Sequence, residues 1–323
     1  MPPERVLKLK EFTAGPNEEG ARLSRFVEKV TADLPRSVLY KSFRNKRIKV
    51  NGKKQDADYR LTAGDLVQLY LNDEFFAGSP AAPQKKKTGK LQIVYEDAAI
   101  AVLYKPAHML CHSDRTGDAN LVDLFVEHLK ETGEYVPAGG SPFRPAICNR
   151  LDRGTEGLVL AAKTYPALRD ATAIIRENWL HKQYLCIAKG RPAEGRLTAY
   201  WKHDEAKKKV FLYRKPAEGR KEVITGVEVL AEHAGCSLCR VTLYTGRTHQ
   251  IRAHLAFVGC PLLGDKKYGD AAFNAQHPAF TDQALCAYRL SFEGIPQENT
   301  LAYLNGQTIE LPNPSLPQKF EQL

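Results

Sequence analysis

The stretch FFAGSPAAPQKKKTGK, residues 75–90, constrains the fold more than any other part of the chain. After its two phenylalanines it carries no apolar periodicity, and its Ala, Pro, Gly and Lys content offers no face to bury. It reads as a linker over 74–90, and no single core can run through it. A chain of 323 residues is long enough for two domains. The linker cuts it into a small unit over 18–73 and a large one over 91–323.

In the small unit, Leu23, Phe26, Val27 and Val30 fall on one face of a helix. Pro35 suits the first turn of a second helix, whose apolar residues are Val38, Leu39 and Phe43. RIKVNGKKQ then alternates at Ile48 and Val50 and turns at Asn51-Gly52, a strong hairpin signal. Val67, Leu69 and Leu71 alternate again as a strand. Between Arg36 and Lys54 stand eight Lys and Arg and no acidic residue. Charge runs are commonly solvated helix faces. This one is single-signed and spans a helix and the adjoining hairpin, which suits a phosphate backbone. Arg36, Lys41, Arg44, Lys46, Arg47, Lys49 and Lys53 are its candidate contacts.

The whole chain has 47 Lys and Arg against 37 Asp and Glu, a net +10 that points to a polyanionic partner. Seven scattered cysteines form no secreted disulfide framework. MPPERVLKLK lacks the apolar core of a signal peptide. The apolar runs fall far short of the ~20 residues that cross a bilayer. These features predict a cytoplasmic protein without membrane association, and a monomer is the favoured state.

The large unit has strand-like segments LQIVYED, IAVLYK, GLVLAAK, KQYLCIAKG and LCRVTLYT, with helical stretches at Leu121–Lys130 and Tyr165–Glu177. Strands and helices mix without a βαβ rhythm, which predicts an α+β fold with a mixed, largely antiparallel sheet and flanking helices. Within it, NRLDRGTEGLVLAAKT (149–164) sets Asp152 between Arg150 and Arg153, directly before an apolar run. A carboxylate at the mouth of a buried strand is costly for folding alone. Three further segments stand out. EDAAIAVLYKPAHMLCHS (96–113) brings a strand to Lys105-Pro106. KQYLCIAKG (182–190) holds Tyr184. LYTGRTHQIRAHLAFVGCPLLGDKKYGD (243–270) starts a helix near Thr248, with His249 and Arg252 on one face.

Each residue also has a plainer reading. Asp152 could cap a turn in a structural salt bridge, Tyr184 could be strand packing, and Arg252 could be a surface arginine. In isolation each plainer reading is preferred; the four segments together favour chemistry. Cys236-x-x-Cys239 with His249-x4-His254 resembles zinc-finger spacing. The intervening gap is short for that module, and strand residues three apart face opposite sides, so no metal is expected.

The four segments, with RLD (150–152) and GRTHQIR (246–252) the most specific, resemble the RluA family of pseudouridine synthases over residues 91–295. ARLSRFV (21–27), LPRSVLYKSFRNKRIKVNGK (34–53) and AGD (63–65) resemble the alpha-L RNA-binding domain of a small-subunit ribosomal protein. The resemblance implies isomerisation of uridine in structured RNA, with no cofactor and no metal. It implies Asp152 as nucleophile or base at the sugar, paired with Arg252. Tyr184 would stack on the flipped base and help remove the proton from the new attachment carbon. Arg150 would enter the gap left by the flipped base. Arg247, His249 and Lys105 are expected to bind substrate. Large-subunit ribosomal RNA is the favoured substrate, with transfer RNA as the alternative. A non-catalytic RNA-binding or ribosome-assembly factor is the rival reading.

The chain departs from the family pattern at Asn149, where His is usual, and at Thr155-Glu156-Gly157, where Thr-Ser-Gly is usual. Cys286 also stands where His is common. Glu156 is expected close to the path of the RNA, so target choice is the property these departures touch.

Overall fold

The computed structural model describes residues 8–31, 34–76, 89–113, 118–136 and 143–323. Most of the expected linker, including Lys85–Lys87, lies outside the described residues. The amino-terminal unit comprises β1 (Lys8–Thr13), α1 (Leu23–Val30), α2 (Arg36–Arg44), β2 (Ile48–Val50), β3 (Lys53–Lys54) and β4 (Leu66–Leu71). Its sheet runs β1-β4-β2-β3. Phe26, Val27, Leu39, Phe43, Ile48, Val50, Val67 and Leu69 form the core. Asn51 and Gly52 both take positive φ, as a tight hairpin turn requires.

β1 lies ahead of residue 18, where the unit was expected to begin. β1 pairs along all of β4, from Lys8 opposite Leu71 to Thr13 opposite Leu66. Backbone pairing places this strand more than apolar patterning does. Phe12 packs on the core while Leu9 stays 46% exposed.

The large unit runs β5 (Gln92–Glu96), β6 (Ile100–Lys105), α3 (Leu121–Glu131), β7 (Ala146–Ile147), β8 (Glu156–Ala162), α4 (Tyr165–Arg176) and β9 (Leu180–Lys189). It continues through β10 (Gly195–Asp204), β11 (Lys209–Tyr213), β12 (Lys221–His233), β13 (Cys236–Leu243), α5 (Gln250–Phe257) and α6 (Ala271–Ala275). β14 (Leu285–Phe292), β15 (Thr308–Glu310) and α7 (Ser315–Glu321) complete it. One eleven-stranded sheet follows the order β11-β10-β12-β13-β9-β14-β8-β6-β5, with β15 on β14 and β7 on β8. β14 and β8 pair in parallel; the other ladders are antiparallel, so the expected α+β, largely antiparallel architecture is the one observed.

Both faces of the central strands are covered, which is why those strands are apolar throughout. Ile100, Val102, Leu158, Leu160, Leu185 and Ile187 point into one core, with Ala167, Ala171 and Ile174 of α4 and Leu316 and Phe320 of α7. Their neighbours Ala101, Leu103, Val159, Ala161, Tyr184 and Cys186 point into the other, with residues of α3 and α5. Cys236 lies in the first core and Cys239 in the second, on opposite sides of the sheet. At the parallel junction Gly157 has φ +123°, and a Cβ there would stand 2.2 Å from the Ala287 carbonyl oxygen. Only glycine lets β14 close against β8.

α5 is fastened to β12 through a buried histidine. His254 Nδ1 lies 2.9 Å from Thr225 Oγ1, and burial lowers its pKa from 6.5 to about 4. On acidification the unfolded chain takes a proton near pH 6.5, while the native site stays neutral down to about pH 4. Stability contributed by this site is therefore present above pH 6.5 and lost as the pH falls toward 4. The loss expected is on the order of 3 kcal/mol. Thermal unfolding followed from pH 7 to 4.5 will show a falling midpoint, with a shallower fall in His254→Gln. An identical slope in the two proteins contradicts this assignment.

Candidate active site

Asp152 sits in the loop between β7 and β8, and that loop is held from several sides. The Arg153 carbonyl accepts from the His108 backbone N–H at 2.8 Å, and Thr155 Oγ1 accepts from Gln283 Nε2 at 3.0 Å. Lys105 braces it from below. Its ammonium donates to the carbonyls of Pro106, Met109 and Arg153 at 2.9, 2.9 and 3.1 Å. The residue is wholly buried, and burial lowers its pKa to about 8. Lys105, expected to bind substrate, directs its donors to backbone beneath the loop.

The arginines flanking Asp152 in sequence do not pair with it. Arg153 turns to Asp118 at 3.3 Å, and Arg150 is exposed at the cavity rim. The partner is Arg252, a hundred residues away, whose Nη1 donates to Asp152 Oδ2 at 2.6 Å. Arg252 is itself clamped from behind. Its Nε and Nη2 donate to Asp265 Oδ2 and Oδ1 at 2.7 and 2.9 Å. Asp265 also accepts from the backbone N–H of Lys267 and Tyr268, at 2.8 and 3.0 Å. One planar guanidinium thus bridges two carboxylates, bidentate to the inner and monodentate to the outer. Burial alone would push the Asp265 carboxyl up. The Arg252 bonds and charge, with the two amides, outweigh it and hold the group below its usual range. Burial likewise disfavours charge on Arg252, and the carboxylates more than reverse that, raising its pKa.

His249 belongs to this group but not to the helix, in contrast to the shared helical face read from sequence. It adopts left-handed backbone, φ 54°, as the cap preceding α5. Tyr268 Oη accepts from the Val210 N–H at 2.9 Å and lies 2.9 Å from His249 Nδ1. The other ring nitrogen, Nε2, lies 3.7 Å from Asp152 Oδ2. Burial lowers the His249 pKa, so the ring is neutral.

Asp152, Arg150, Tyr184, Arg247, His249 and Arg252 line one cavity of about 570 Å³. Tyr184 is 7% exposed. Burial, together with the nearby Asp152 charge, raises its pKa and keeps the phenol protonated. The sequence reading missed two residues here. Lys182, two before Tyr184 on β9, lines the cavity with its pKa lowered by burial. Gln250, buried at the start of α5, ties the 245–247 loop to β12. Its Oε1 accepts from Thr245 Oγ1 and the Arg247 N–H at 2.9 and 3.1 Å, and its Nε2 donates to the Ile224 carbonyl and Thr225 Oγ1.

The three departures from the family pattern have structural roles. Asn149 Oδ1 accepts from the Leu160 N–H at 2.8 Å. Cys286 is fully buried in the core on the α4 side. Glu156 accepts from Tyr104 Oη at 3.0 Å and Ser315 Oγ at 2.8 Å, linking β6, β8 and α7. Among the described residues no group of three His, Cys, Asp or Glu could hold a metal ion.

Comparison with known proteins shows the family. Residues 99–257 match the family model for RNA pseudouridylate synthase. The chain is 30% identical to an uncharacterized RNA pseudouridine synthase of Mycoplasma pneumoniae over 87% of each sequence. It is 32% identical to ribosomal large subunit pseudouridine synthase C of Vibrio cholerae over 81% of each. The Escherichia coli K12 protein of that name is 30% identical, over 84% of this chain and 82% of its own. The structure of human RNA pseudouridylate synthase domain containing 1 superposes with a TM-score of 0.53 at 22% identity, over 75% of this chain and 89% of that one. With a carboxylate, guanidinium and tyrosine gathered in one cavity of this fold, the chain belongs to the RNA pseudouridylate synthase family and isomerises uridine in RNA to pseudouridine.

Proposed function

We propose that the substrate is large-subunit ribosomal RNA and that Asp152 performs the chemistry with the oxygen Arg252 leaves free. One observation carries the assignment. Arg252 takes Asp152 Oδ2 through a single Nη1 contact because its other edge is committed to Asp265. Asp152 Oδ1 has no hydrogen-bond partner among the described residues, and the side chain is 28% exposed to the cavity.

In this reading the uridine leaves its helix and enters the cavity, at a cost of a few kcal/mol. Arg150 at the rim fills the gap. Asp152 acts at the sugar as nucleophile or base, and the N1–C1′ bond breaks. The base turns on the face of Tyr184 and rejoins through C5, which loses its proton while N1 gains one. The raised pKa of Tyr184 makes a phenolate base unfavourable. Stacking and relay through a neutral hydroxyl are its part, and the C5 proton passes to a carboxylate. Lys182 and Arg247 supply positive charge for the flanking phosphates.

The amino-terminal unit grips the RNA as an alpha-L domain. Arg36, Lys41, Arg44, Lys46 and Lys53 are exposed on α2 and the hairpin, and Arg47 and Lys49 are half-buried beside them. The names of the Vibrio and Escherichia relatives support a ribosomal substrate. The protein works in the cytoplasm as a monomer; no helix among the described residues is long and apolar enough to cross a membrane.

Cells lacking this protein will lose pseudouridine at defined positions of large-subunit ribosomal RNA in a site-resolved map. Wild type will restore them and Asp152→Asn will not. Losses confined to transfer RNA overturn the substrate assignment, and restoration by Asp152→Asn overturns the role of the carboxylate. Asp265→Asn weakens the clamp without touching substrate. Its kcat will fall about 10- to 100-fold, the worth of a charged hydrogen bond, with KM within threefold. A rise in KM at constant kcat contradicts a positioning role. Replacing Arg36, Lys41, Arg44 and Lys46 by Gln will flatten the slope of log affinity against log salt by about 3. An unchanged slope removes the cluster from the interface.

A further inference from the structure

The hairpin formed by β10 and β11, with the turn into β12, was not singled out by its sequence, yet it holds a concentrated share of the positive charge. Residues 195–221 contain nine Lys and Arg against three Asp and Glu. Among the described residues none of the nine makes an ion pair within 4 Å. Surface cations that contribute to folding commonly have carboxylate neighbours, as Arg191 and Arg240 do nearby.

The strand register sorts these residues by face. Tyr200 stands opposite Tyr213, and Lys202 opposite Phe211, so these four share one face. Arg196 shares it too, two pairs along β10, opposite Gly226 on β12. The intervening Trp201 points to the other face, where its Nε1 donates to the Thr248 carbonyl beside the cavity at 3.1 Å. The Tyr200 face is thus the reverse of the catalytic one. Tyr244 joins it from the end of β13. Its ring lies over Gly226, where a Cβ would meet Tyr244 Cε2 at 3.1 Å.

Four rings therefore line one outer sheet face: Tyr200, Phe211, Tyr213 and Tyr244. None belongs to either hydrophobic core of the large unit. Cations lie on three of them. The Arg196 guanidinium is 4.3 Å from the Tyr244 ring centre, Arg220 is 3.6 Å from Tyr213, and the Lys207 ammonium is 5.6 Å from Phe211. Rings alternating with unpaired cations on an open sheet match what unpaired nucleic acid requires: a π-face for each base and a positive charge for each phosphate.

We propose that this face is a binding platform for a single-stranded segment of the substrate RNA, flanking the target uridine. The inference deepens the proposed function and rests on RNA being the substrate. Continuity supports the placement. Tyr244 is three residues before Arg247 at the cavity, so a strand leaving the cavity over the 245–247 loop arrives at the platform. Bases displace the resident cations from the rings, and the cations turn to the phosphates. Recognition here is of unstacked strand and not of sequence, because every base has a π-face.

The test uses full-length protein carrying Asp152→Asn, so that turnover does not enter, and a twelve-nucleotide oligouridine as probe. Added Tyr213→Leu or Tyr244→Leu keeps the charge and removes a ring. Each will weaken oligouridine binding about five- to fiftyfold, the range of one lost base stack, while the Phe substitutions stay within about twofold. Affinity for an RNA duplex of equal length will change by less than twofold. Leucine variants that bind oligouridine within twofold of their parent overturn the proposal, as does a parent that does not bind it. Should a leucine variant fail to fold, cross-linking of 4-thiouridine-labelled oligomer to the unmodified chain decides. Adducts at Tyr200, Phe211, Tyr213 or Tyr244 sustain the platform, and adducts only elsewhere refute it. Failure of the functional reading registers separately, as pseudouridine formation by the Asp152→Asn protein.

Discussion

One guanidinium between two carboxylates organises the catalytic half of this protein. Desolvating Arg252 is costly, and a single partner would leave most of its donors unused. Asp265 takes one edge, in a turn that also gives it two backbone amides. That turn fixes the plane of the guanidinium, and the plane fixes which oxygen of Asp152 is occupied. The inner carboxylate thereby decides the orientation of the outer one without meeting the substrate. A lysine at position 252 could neutralise charge but could not hold two carboxylates in a defined plane.

The sheet explains how such distant residues are brought to one cavity. Asp152 comes from the loop entering β8, Tyr184 from β9, and Arg252 from the helix that follows β13. Each is carried by, or adjoins, a strand buried on both faces, so small displacements meet dense packing on two sides. The loops between them are tied by fully committed side chains. Lys105 holds three carbonyls beneath Asp152, and Gln250 makes four hydrogen bonds across the turn before Arg252. Polar groups that would be costly if unpaired become rigid struts when satisfied.

The sequence was most informative where chemistry and period coincide. The strand runs of β6, β8, β9 and β13 are apolar enough to read directly, and RLD and GRTHQIR drew attention to Asp152 and Arg252. Asp265 stood in plain view within GDKKYG, but an aspartate in a glycine-bounded turn is common and its partner lies thirteen residues back. Lys105 reaches three convergent carbonyls, a tertiary fact with no local signature. β1 and the β10–β11 hairpin escaped for a related reason. β1 and β10 mix polar residues with rings or lone aliphatics, β11 is only five residues long, and pairing to a neighbour makes them strands. Glu156, near the active loop in sequence, faces the carboxyl-terminal helix in space.

The position of β14 has a bearing on synthesis. Among the described residues, the strands β5 to β8 and the strands β9 to β13 are hydrogen-bonded to one another only through it. Asp152 travels with the first group, Tyr184 and Arg252 with the second. A nascent polypeptide that ends before residue 285 cannot zip the two groups into one continuous sheet. Until β14 has been made, Asp152 and Arg252 belong to strand groups that no ladder joins.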